Sequence, residues 1–279
     1  MVFKFKFIKR RFTSLEKNRV GVNMLTKEQL ILMARRNGLP LFTQERDYFQ
    51  MMFLSRLYSQ KNQLVFKGGT CLKLAYNLPR FSEDLDFICL NRSKALKSLL
   101  EKVLDELKLI GINGKLTNEK IAKSSAGYKV VYQGPLYTGK TISKGGIRID
   151  VSFRKDMVLK PELMSITSEY PDIQPFLAYC MPMEEIFAEK VRALIKRSKP
   201  RDIYDVWFLI NRNVKIDRKL IIKKINLQGL KFDLKKLENE IGDKRKDWKS
   251  DLSTLLSTIP DFDAVKNNII KKLKEALDS

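Results

Sequence analysis

Two short motifs in the first third of the chain contain residue types that bind phosphate and metal ions. The first is the run FKGGT at residues 66–70, and the second is the run FSEDLDF at residues 81–87. Glycines allow backbone amides to approach an anionic phosphate closely. Residues i and i+2 of a strand point to the same face, so Asp84 and Asp86 can share one cation. The sequence therefore predicts a phosphate-binding turn beside a metal-binding strand.

Each motif also has a simpler interpretation. Gly68 and Gly69 would suit any tight turn between a strand and a helix, and they are not a Walker motif because no Gly-Lys-Ser/Thr follows them. The two aspartates could belong to a surface salt-bridge network. The apolar residues Leu85 and Phe87 favour the metal interpretation. A strand that buries one face and holds two carboxylates on the other needs a cation or basic partners.

A third carboxylate lies in the alternating segment GIRIDVSF at residues 146–153. Asp150 has the same parity as Arg148, opposite to that of Ile149. If this segment lies beside the strand that contains Asp84, three carboxylates converge, which is enough to hold one or two Mg²⁺ ions with nucleotide phosphates completing the coordination. Mn²⁺ is the alternative ion. The competing interpretation is a surface ion pair between Arg148 and Asp150.

Residues 184–207 are predicted to form a charge-rich helical hairpin. Glu185 and Glu189 are spaced for local pairs with Lys190 and Lys196. Such a hairpin is usually a solvated face. Its density of arginine and lysine would also suit the binding of a triphosphate whose α-phosphorus is attacked.

The composition limits the possible chemistry. The 279 residues include no histidine, which excludes histidine general bases, Ser-His-Asp triads and conventional zinc sites. The three cysteines, Cys71, Cys89 and Cys180, are widely spaced among apolar residues and indicate buried thiols in a reducing compartment. No run approaches the roughly 20 apolar residues that span a bilayer. We expect a soluble, cytoplasmic protein without a membrane partner.

The charge is strongly basic, with 54 lysines and arginines against 32 acidic residues and a net charge of +22. Such an excess favours polyanions through electrostatic steering and counterion release. The alternative is a generally lysine-rich composition that affects every surface. Nucleic acid is therefore the expected macromolecular partner.

The elements that must position these residues form an α+β fold. Alternating segments predict a mixed β-sheet with flanking helices at residues 1–165, including a short strand at Phe3–Phe7. Thr26 is the expected N-cap of the first helix. After Pro161 several prolines indicate a linker, and the remaining sequence is almost wholly helical. We therefore expect two domains, a sheet-containing core at 1–165 and a helical bundle at 166–279.

At these motifs the sequence resembles the AbiEii/AbiGii toxin family of nucleotidyltransferases, which includes the MenT-type toxins that modify tRNA. The resemblance covers residues 67–76 and 80–87, the strand up to Asp150, and residues 188–202, in the order of the family. The patterns RxSxDLDF at 80–87 and RxxxRD at 197–202 are the most specific. The resemblance implies a nucleotidyltransferase-type mixed sheet.

The motifs and the resemblance together give two groups of site residues. The catalytic group, whose first three members are the metal ligands, consists of Asp84, Asp86, Asp150, Lys190 and Asp202. The nucleotide-binding group consists of Lys67, Gly68, Gly69, Thr70, Arg80, Ser82, Arg197 and Arg201. By resemblance, Lys190 would contact phosphate and Asp202 would be the further acid that activity requires, with Asp205 as the alternative.

The expected function is Mg²⁺-dependent transfer of a nucleotide from an NTP to the 3′ end of tRNA. The metal, the nucleotide and a polyanion follow from the residues. The tRNA acceptor, the role as toxin of a type IV-like toxin–antitoxin or abortive-infection system, and the antitoxin partner are implied by the resemblance alone. The alternatives are nucleotidylation of a protein or small molecule, and a catalytically silent module that binds NTP or RNA.

Overall fold

The computed structural model describes residues 24–90, 95–197 and 199–278. The predicted strand at Phe3–Phe7 lies outside the described residues. Within them, no helix is long and apolar enough to cross a membrane.

Seven strands form one mixed sheet with the order β3-β4-β5-β2-β1-β7-β6. The strands are β1 (Leu64–Lys67), β2 (Asp84–Cys89), β3 (Asn113–Ile121), β4 (Ser125–Gln133), β5 (Gly145–Ser152), β6 (Glu162–Ile166) and β7 (Phe176–Cys180). The pairs β2–β5 and β1–β7 are parallel, whereas β3–β4 and β4–β5 are antiparallel. The predicted mixed sheet is confirmed.

Ten α-helices lie within the described residues. They are α1 (Lys27–Asn37), α2 (Leu41–Ser59), α3 (Gly68–Tyr76), α4 (Leu96–Lys108), α5 (Met183–Lys196), α6 (Pro200–Asn211), α7 (Arg218–Asn226), α8 (Leu234–Gly242), α9 (Arg245–Leu252) and α10 (Phe262–Asp278). From Met183 onwards the described residues form α-helices and no strands. This confirms the expected C-terminal helical part of the α+β fold.

Helix α1 shows how local sequence sets an element boundary. Thr26 caps it as predicted, since its hydroxyl accepts from the backbone N–H of Gln29 and the Gln29 side chain accepts from the backbone of Thr26. Gly38 ends it in the left-handed conformation. This combination is a capping box followed by a glycine stop.

Three strands were not predicted from the sequence. β3 is a polar edge strand whose exposed side chains do not alternate with buried ones. β6 and β7 have five residues each and lie in the proline-punctuated stretch that we expected to be a linker. That expectation was wrong because the prolines flank the two strands and do not interrupt them, and β7 is itself a run of five apolar residues that pairs with β1.

The chain divides into two compact units that interleave along the sequence. The sheet unit comprises residues 1–66, 83–154 and 163–180, and the helical unit comprises residues 67–82, 155–162 and 181–279. The expected division into domains at residues 1–165 and 166–279 differs from these two units. Whether each of those two segments folds by itself stays a prediction.

Each unit has its own aromatic core. In the sheet unit, the rings of Phe49 and Tyr132 stack with centroids 3.7 Å apart, and Phe66 packs on Phe87 at 5.4 Å. In the helical unit, the buried Trp248 donates its indole N–H to the carbonyl of Pro260 at 2.9 Å. Buried aromatic side chains supply large apolar areas, and the polar group of Trp248 is satisfied by a backbone partner.

Candidate active site

Three carboxylates lie on one face of two neighbouring strands of the sheet unit. Strands β2 and β5 are parallel, and their register pairs Asp86 with Asp150 and Asp84 with Arg148. Paired residues on adjacent strands point to the same face, as do residues two apart on one strand. Asp84, Asp86 and Asp150 therefore share a face. The two strands lie side by side, which is the condition under which the three carboxylates were expected to converge.

The opposite face of the same strands is part of the core. Four residues of this face are each at most 1% exposed, namely Leu85, Phe87, Ile149 and Val151. Because the side-chain period of a strand is two, a register slip of one residue would turn the carboxylates into the core. Burial of the apolar face therefore fixes the position of the acidic one.

Asp150 lies in a crowded electrostatic environment. Burial raises the pKa of its carboxyl group and the charge of Asp84 raises it further, while Arg148 acts in the opposite direction. Gly127 on β4 pairs with Asp150, and a Cβ atom at this glycine would lie 3.2 Å from Asp150 Oδ1. Gly127 thus leaves room for the carboxylate. The sequence analysis missed it, although a glycine inside a strand signals a close approach.

Carboxylate oxygens are the donor type that suits a hard divalent cation shared with substrate phosphates. Mg²⁺ is usually held by one or two protein carboxylates, with phosphates and water completing its octahedron. A cation would relieve the repulsion between Asp84 and Asp150 that raises the pKa of Asp150. Among the described residues, no group of three or more His, Cys, Asp or Glu side chains is placed to hold a metal ion, so joint ligation by Asp84, Asp86 and Asp150 stays a prediction. The identity of the ion stays a prediction.

In the helical unit, helix α3 begins inside the glycine motif. Lys67 is extended, and the helix starts at Gly68. Gly68 has a φ of +76°, which residues with a side chain rarely adopt. Thr70 is fully buried. The start of a helix presents backbone N–H groups that suit phosphate.

Gly69 is required by a close approach rather than by its backbone conformation. A Cβ atom at this position would lie 2.6 Å from Arg80 Nη2 and 2.8 Å from Ser82 Oγ. The motifs at residues 67–70 and 80–82 are therefore packed against each other. Arg80 and Ser82 lie beside the glycine turn, where the sequence analysis expected a nucleotide.

We expect Gly69→Ala to lower the free energy of unfolding by about 1–3 kcal/mol, the usual cost of overpacking a close-packed site. Arg80 cannot withdraw freely because Asp205 holds it. Urea unfolding measures the change. The control is Gly242→Ala, whose Cβ would have Lys266 Nζ as its nearest neighbour, at 3.6 Å, an ordinary contact. Wild-type stability of Gly69→Ala would contradict the requirement for glycine.

A chain of ion pairs, which we call the Arg80 network, joins Arg80, Asp205, Lys190, Asp202 and Arg197. Arg80 donates from Nε and Nη2 to the two carboxylate oxygens of Asp205 at 2.6 and 2.7 Å. Lys190 Nζ lies 2.6 Å from Asp205 and 2.8 Å from Asp202. Arg197 Nε donates to Asp202 at 3.1 Å. The predicted residues Arg80, Lys190, Arg197 and Asp202 thus lie together.

The members of the Arg80 network stabilise one another's charges. Burial alone would lower the pKa values of Arg80 and Lys190, but the neighbouring carboxylates of Asp205 and Asp202 together outweigh it and both pKa values are raised. Burial would raise the pKa of Asp202, but Lys190 and Arg197 lower it to about 2. Arg80, Lys190 and Asp202 are therefore charged at neutral pH.

From the sequence, either Asp202 or Asp205 could be the further acid that activity requires. Asp205 is fully buried and bridges Arg80 and Lys190, so it is the centre of the network. Residues three apart on a helix are neighbours on one face, so the spacing of Asp202 and Asp205 indicated that both carboxylates could bind the same cationic side chain. Arg201 lies in the first turn of α6 and is half-buried.

The local pairs predicted for the helical hairpin were wrong. Glu189 binds Lys67 Nζ at 3.0 Å and Lys224 Nζ at 3.2 Å, and Glu185 binds Lys224 at 2.5 Å. Glu185 and Glu189 lie four residues apart on α5 and both point to Lys224 of α7. Tertiary pairs therefore take the place of the predicted pairs with Lys190 and Lys196, beside a 3.9 Å contact within α5 between Glu189 and Arg192.

A comparison with known protein families decides the classification. The family described as "Nucleotidyl transferase AbiEii toxin, Type IV TA system" matches residues 53–268, most of the chain. The chain belongs to the AbiEii family. The match contains all predicted site residues, from Lys67 to Asp202. Membership makes the protein a toxin-type nucleotidyltransferase and implies an NTP substrate and an antitoxin partner.

Solved structures share the fold of this AbiEii-family chain. MenT4, a nucleotidyltransferase toxin from Mycobacterium tuberculosis, has a TM-score of 0.62 and 18% identity, with 91% of this chain and 90% of that chain covered. JHP933 from Helicobacter pylori has a TM-score of 0.53 and 20% identity, with 86% and 95% covered. A comparison with curated proteins found no match. The structural similarity confirms the nucleotidyltransferase-type fold.

Proposed function

We propose that the protein transfers a nucleotide from an NTP to an RNA acceptor, the 3′ end of tRNA, in a Mg²⁺-dependent reaction. The observation that carries this proposal is the pairing of Asp86 with Asp150, beside Asp84, in a chain of the AbiEii family. Carboxylates on one strand face are the oxygen donors that Mg²⁺ requires while it also binds phosphates.

In this proposal Asp84, Asp86 and Asp150 are the metal ligands. Mg²⁺ bound by them would neutralise the charge of the triphosphate. The apolar residues beneath these strands keep the three carboxylates on one face before any ligand binds. Such preorganisation is a main source of electrostatic catalysis. Mn²⁺, which has a similar preference for oxygen ligands, is the alternative ion.

The nucleotide-binding residues of the proposal lie in the helical unit. The backbone N–H groups at the start of α3, at Gly68, Gly69 and Thr70, would bind phosphate oxygens. Lys67 directly precedes this turn in the sequence, and the Ser82 side chain packs against Gly69. Positive charge close to the turn would favour the anionic nucleotide.

The arginines of the proposal differ in exposure. Arg197, with 52% of its side chain exposed, is accessible to a phosphate, and the half-buried Arg201 lies in the first turn of α6. Arg80 is 2% exposed and donates to Asp205 and to the carbonyl of Phe81. These bonds hold the Arg80 guanidinium beside Gly69, so we propose that it shapes the turn that binds the nucleotide.

The transfer step is a substitution at the α-phosphorus. A bond forms from the acceptor hydroxyl oxygen to this phosphorus, and the bond to the oxygen that bridges to the β-phosphate breaks. Pyrophosphate leaves, and the hydroxyl proton passes to solvent water. Lys190 would stabilise the charge on the phosphates. Asp202, with its pKa of about 2, would keep Lys190 charged and in place.

Charge supports RNA as the acceptor. The net charge of +22 favours a polyanion over a protein acceptor. Helix α7 also carries Arg218, Lys219 and Lys223, which border an open surface depression together with the apolar Ile222 and Leu227. Lysine and arginine side chains suit contacts with a nucleic-acid backbone.

The test is incubation of the purified protein with each labelled NTP, Mg²⁺ and total RNA. The transfer assay is then repeated with intact tRNA and with 3′-trimmed tRNA as the acceptor. We expect label on intact tRNA only, and none after EDTA removes the metal. Binding of tRNA should weaken by roughly 0.7–0.9 log units per phosphate contact per decade of salt. Label on a protein without any RNA product would favour protein nucleotidylation. NTP binding without transfer would favour the silent module.

A further inference from the structure

Lys224 on helix α7 is a fully buried lysine with three acidic or carbonyl partners. Its Nζ donates to the carbonyl of Asp156 at 2.6 Å and lies 2.5 Å from Glu185 and 3.2 Å from Glu189. A charge is buried only where its partners compensate it. The C-terminal sequence around Lys224 carries no motif, so the sequence analysis did not identify this residue.

Glu189 connects the buried lysine to the glycine turn. Its Oε1 atom faces Lys224, and its Oε2 atom accepts from Lys67 Nζ at 3.0 Å. Burial would raise the pKa of Glu189, but Lys67, Lys224 and Arg192 lower it to about 2. Glu189 is therefore an anchored carboxylate, and it holds the ammonium group of the residue that directly precedes Gly68.

Glu185 holds the other side of Lys224 in place. Its two carboxylate oxygens accept from the backbone N–H groups of Val158 and Leu159 at 2.8 and 2.6 Å. The side chain of Glu185 is thus bound to a loop backbone as well as to Lys224. Lys67 lies at one end of this series of contacts, with 16% of its side chain exposed.

We propose that Glu189 is a positioning residue that orients the ammonium group of Lys67 for the nucleotide phosphates, and that Lys224 fixes Glu189. The inference rests on the proposed function of the glycine turn. A lysine has four rotatable carbon–carbon bonds, so a free side chain must be ordered when phosphate binds. A carboxylate held by Lys224 orders the Lys67 side chain in advance. Supporting residues of this kind commonly set the precision of a binding site.

The test is calorimetric binding of ATP, CTP, GTP and UTP to the full chain in the presence of Mg²⁺, with Glu189→Gln as the main variant. We expect the Kd of the tightest NTP to rise about tenfold, the lower end of the 10–100-fold loss seen when supporting residues are removed from metal sites. The matched control is Glu184→Gln, which makes the same change in the first turn of the same helix. It should bind the NTP as wild type does.

A double variant separates positioning from general stability. If Glu189 acts through Lys67, then adding Glu189→Gln to Lys67→Met should leave the Kd of Lys67→Met unchanged. If Glu189→Gln raises the Kd as much in the Lys67→Met background as in the wild type, the proposal is overturned. If Glu189→Gln does not fold, Glu189→Asp replaces it in the test. Aspartate keeps the charge but shortens the side chain by one methylene. It should also weaken NTP binding.

Wild-type affinity in both Glu189→Gln and Glu189→Asp would overturn the inference, and so would a wild-type protein that binds none of the four NTPs. The proposed function fails separately. A wild-type protein that binds an NTP and transfers it to no RNA would contradict the proposed transfer, whereas the effect of Glu189 on NTP binding would still support the positioning role.

Discussion

Replacing Asp84 by asparagine should reduce nucleotide transfer at least about a thousandfold and leave the fold intact. Asparagine keeps the shape of the side chain but loses the charge that a Mg²⁺ ligand supplies. Metal stabilisation of phosphoryl charge is worth several kcal/mol, and about 4 kcal/mol is a thousandfold in rate. Asp84 is half-buried at the start of β2, so the substitution removes no core packing. The measurement is the rate of label transfer from the NTP to RNA.

The matched control for Asp84→Asn is Glu83→Gln, the same type of change at the neighbouring residue. Glu83 is exposed and forms an ion pair with Arg46. Losing a surface pair costs about 0–1 kcal/mol of stability. We expect transfer close to the wild-type rate from this control. Transfer at the wild-type rate by Asp84→Asn itself would show that the metal site has been placed wrongly.

Asp205→Asn should be the most destabilising single change in the helical unit, with a loss of about 3–5 kcal/mol. Removing one partner of a buried ion pair leaves the other charge uncompensated, and this is the usual cost. Here two positive groups lose their shared partner, since Arg80 and Lys190 both bind Asp205. The measurement is the free energy of unfolding in urea, with circular dichroism to follow the helices.

Two further variants of the Arg80 network test this explanation. Arg197→Met removes a charge at its exposed end, where 52% of the side chain is accessible, and should cost no more than about 1 kcal/mol. Adding Arg80→Met to Asp205→Asn should recover part of the lost stability, because it removes one of the uncompensated charges. A small effect of Asp205→Asn, equal to that of Arg197→Met, would contradict a network centred on Asp205.

Several features of the site could be predicted because their causes are local. The alternation of Asp84 and Asp86 with Leu85 is enough to predict a strand with one acidic and one buried face. The same reasoning set the parity of Asp150, and the structure shows its strand beside that of Asp84. The cap at Thr26 is a contact between residues three apart. Interactions of this range are fully determined by a short stretch of sequence.

Other features depended on pairing with distant strands. β3 has a weak local pattern and β7 is a short apolar run between prolines, and each is completed by backbone pairing with a neighbouring strand, β4 and β1 respectively. The expectation of a linker after residue 161 failed for the same reason. Interleaving of the two units along the chain has no signal in composition, because it arises from contacts rather than from local sequence.

The sequence by itself determined the family, the mixed sheet with its helical C-terminal part, and the acidic and glycine motifs. Only the tertiary structure decided the partners of the charges. Lys67 is 122 residues from Glu189, and Arg80 is 125 residues from Asp205. Spacing within a helix favoured local pairs for Glu189, but a buried charge must find a compensating group wherever the fold brings one. Packing of α7 on α5 brought Lys224 to Glu189, and no local pattern records that choice.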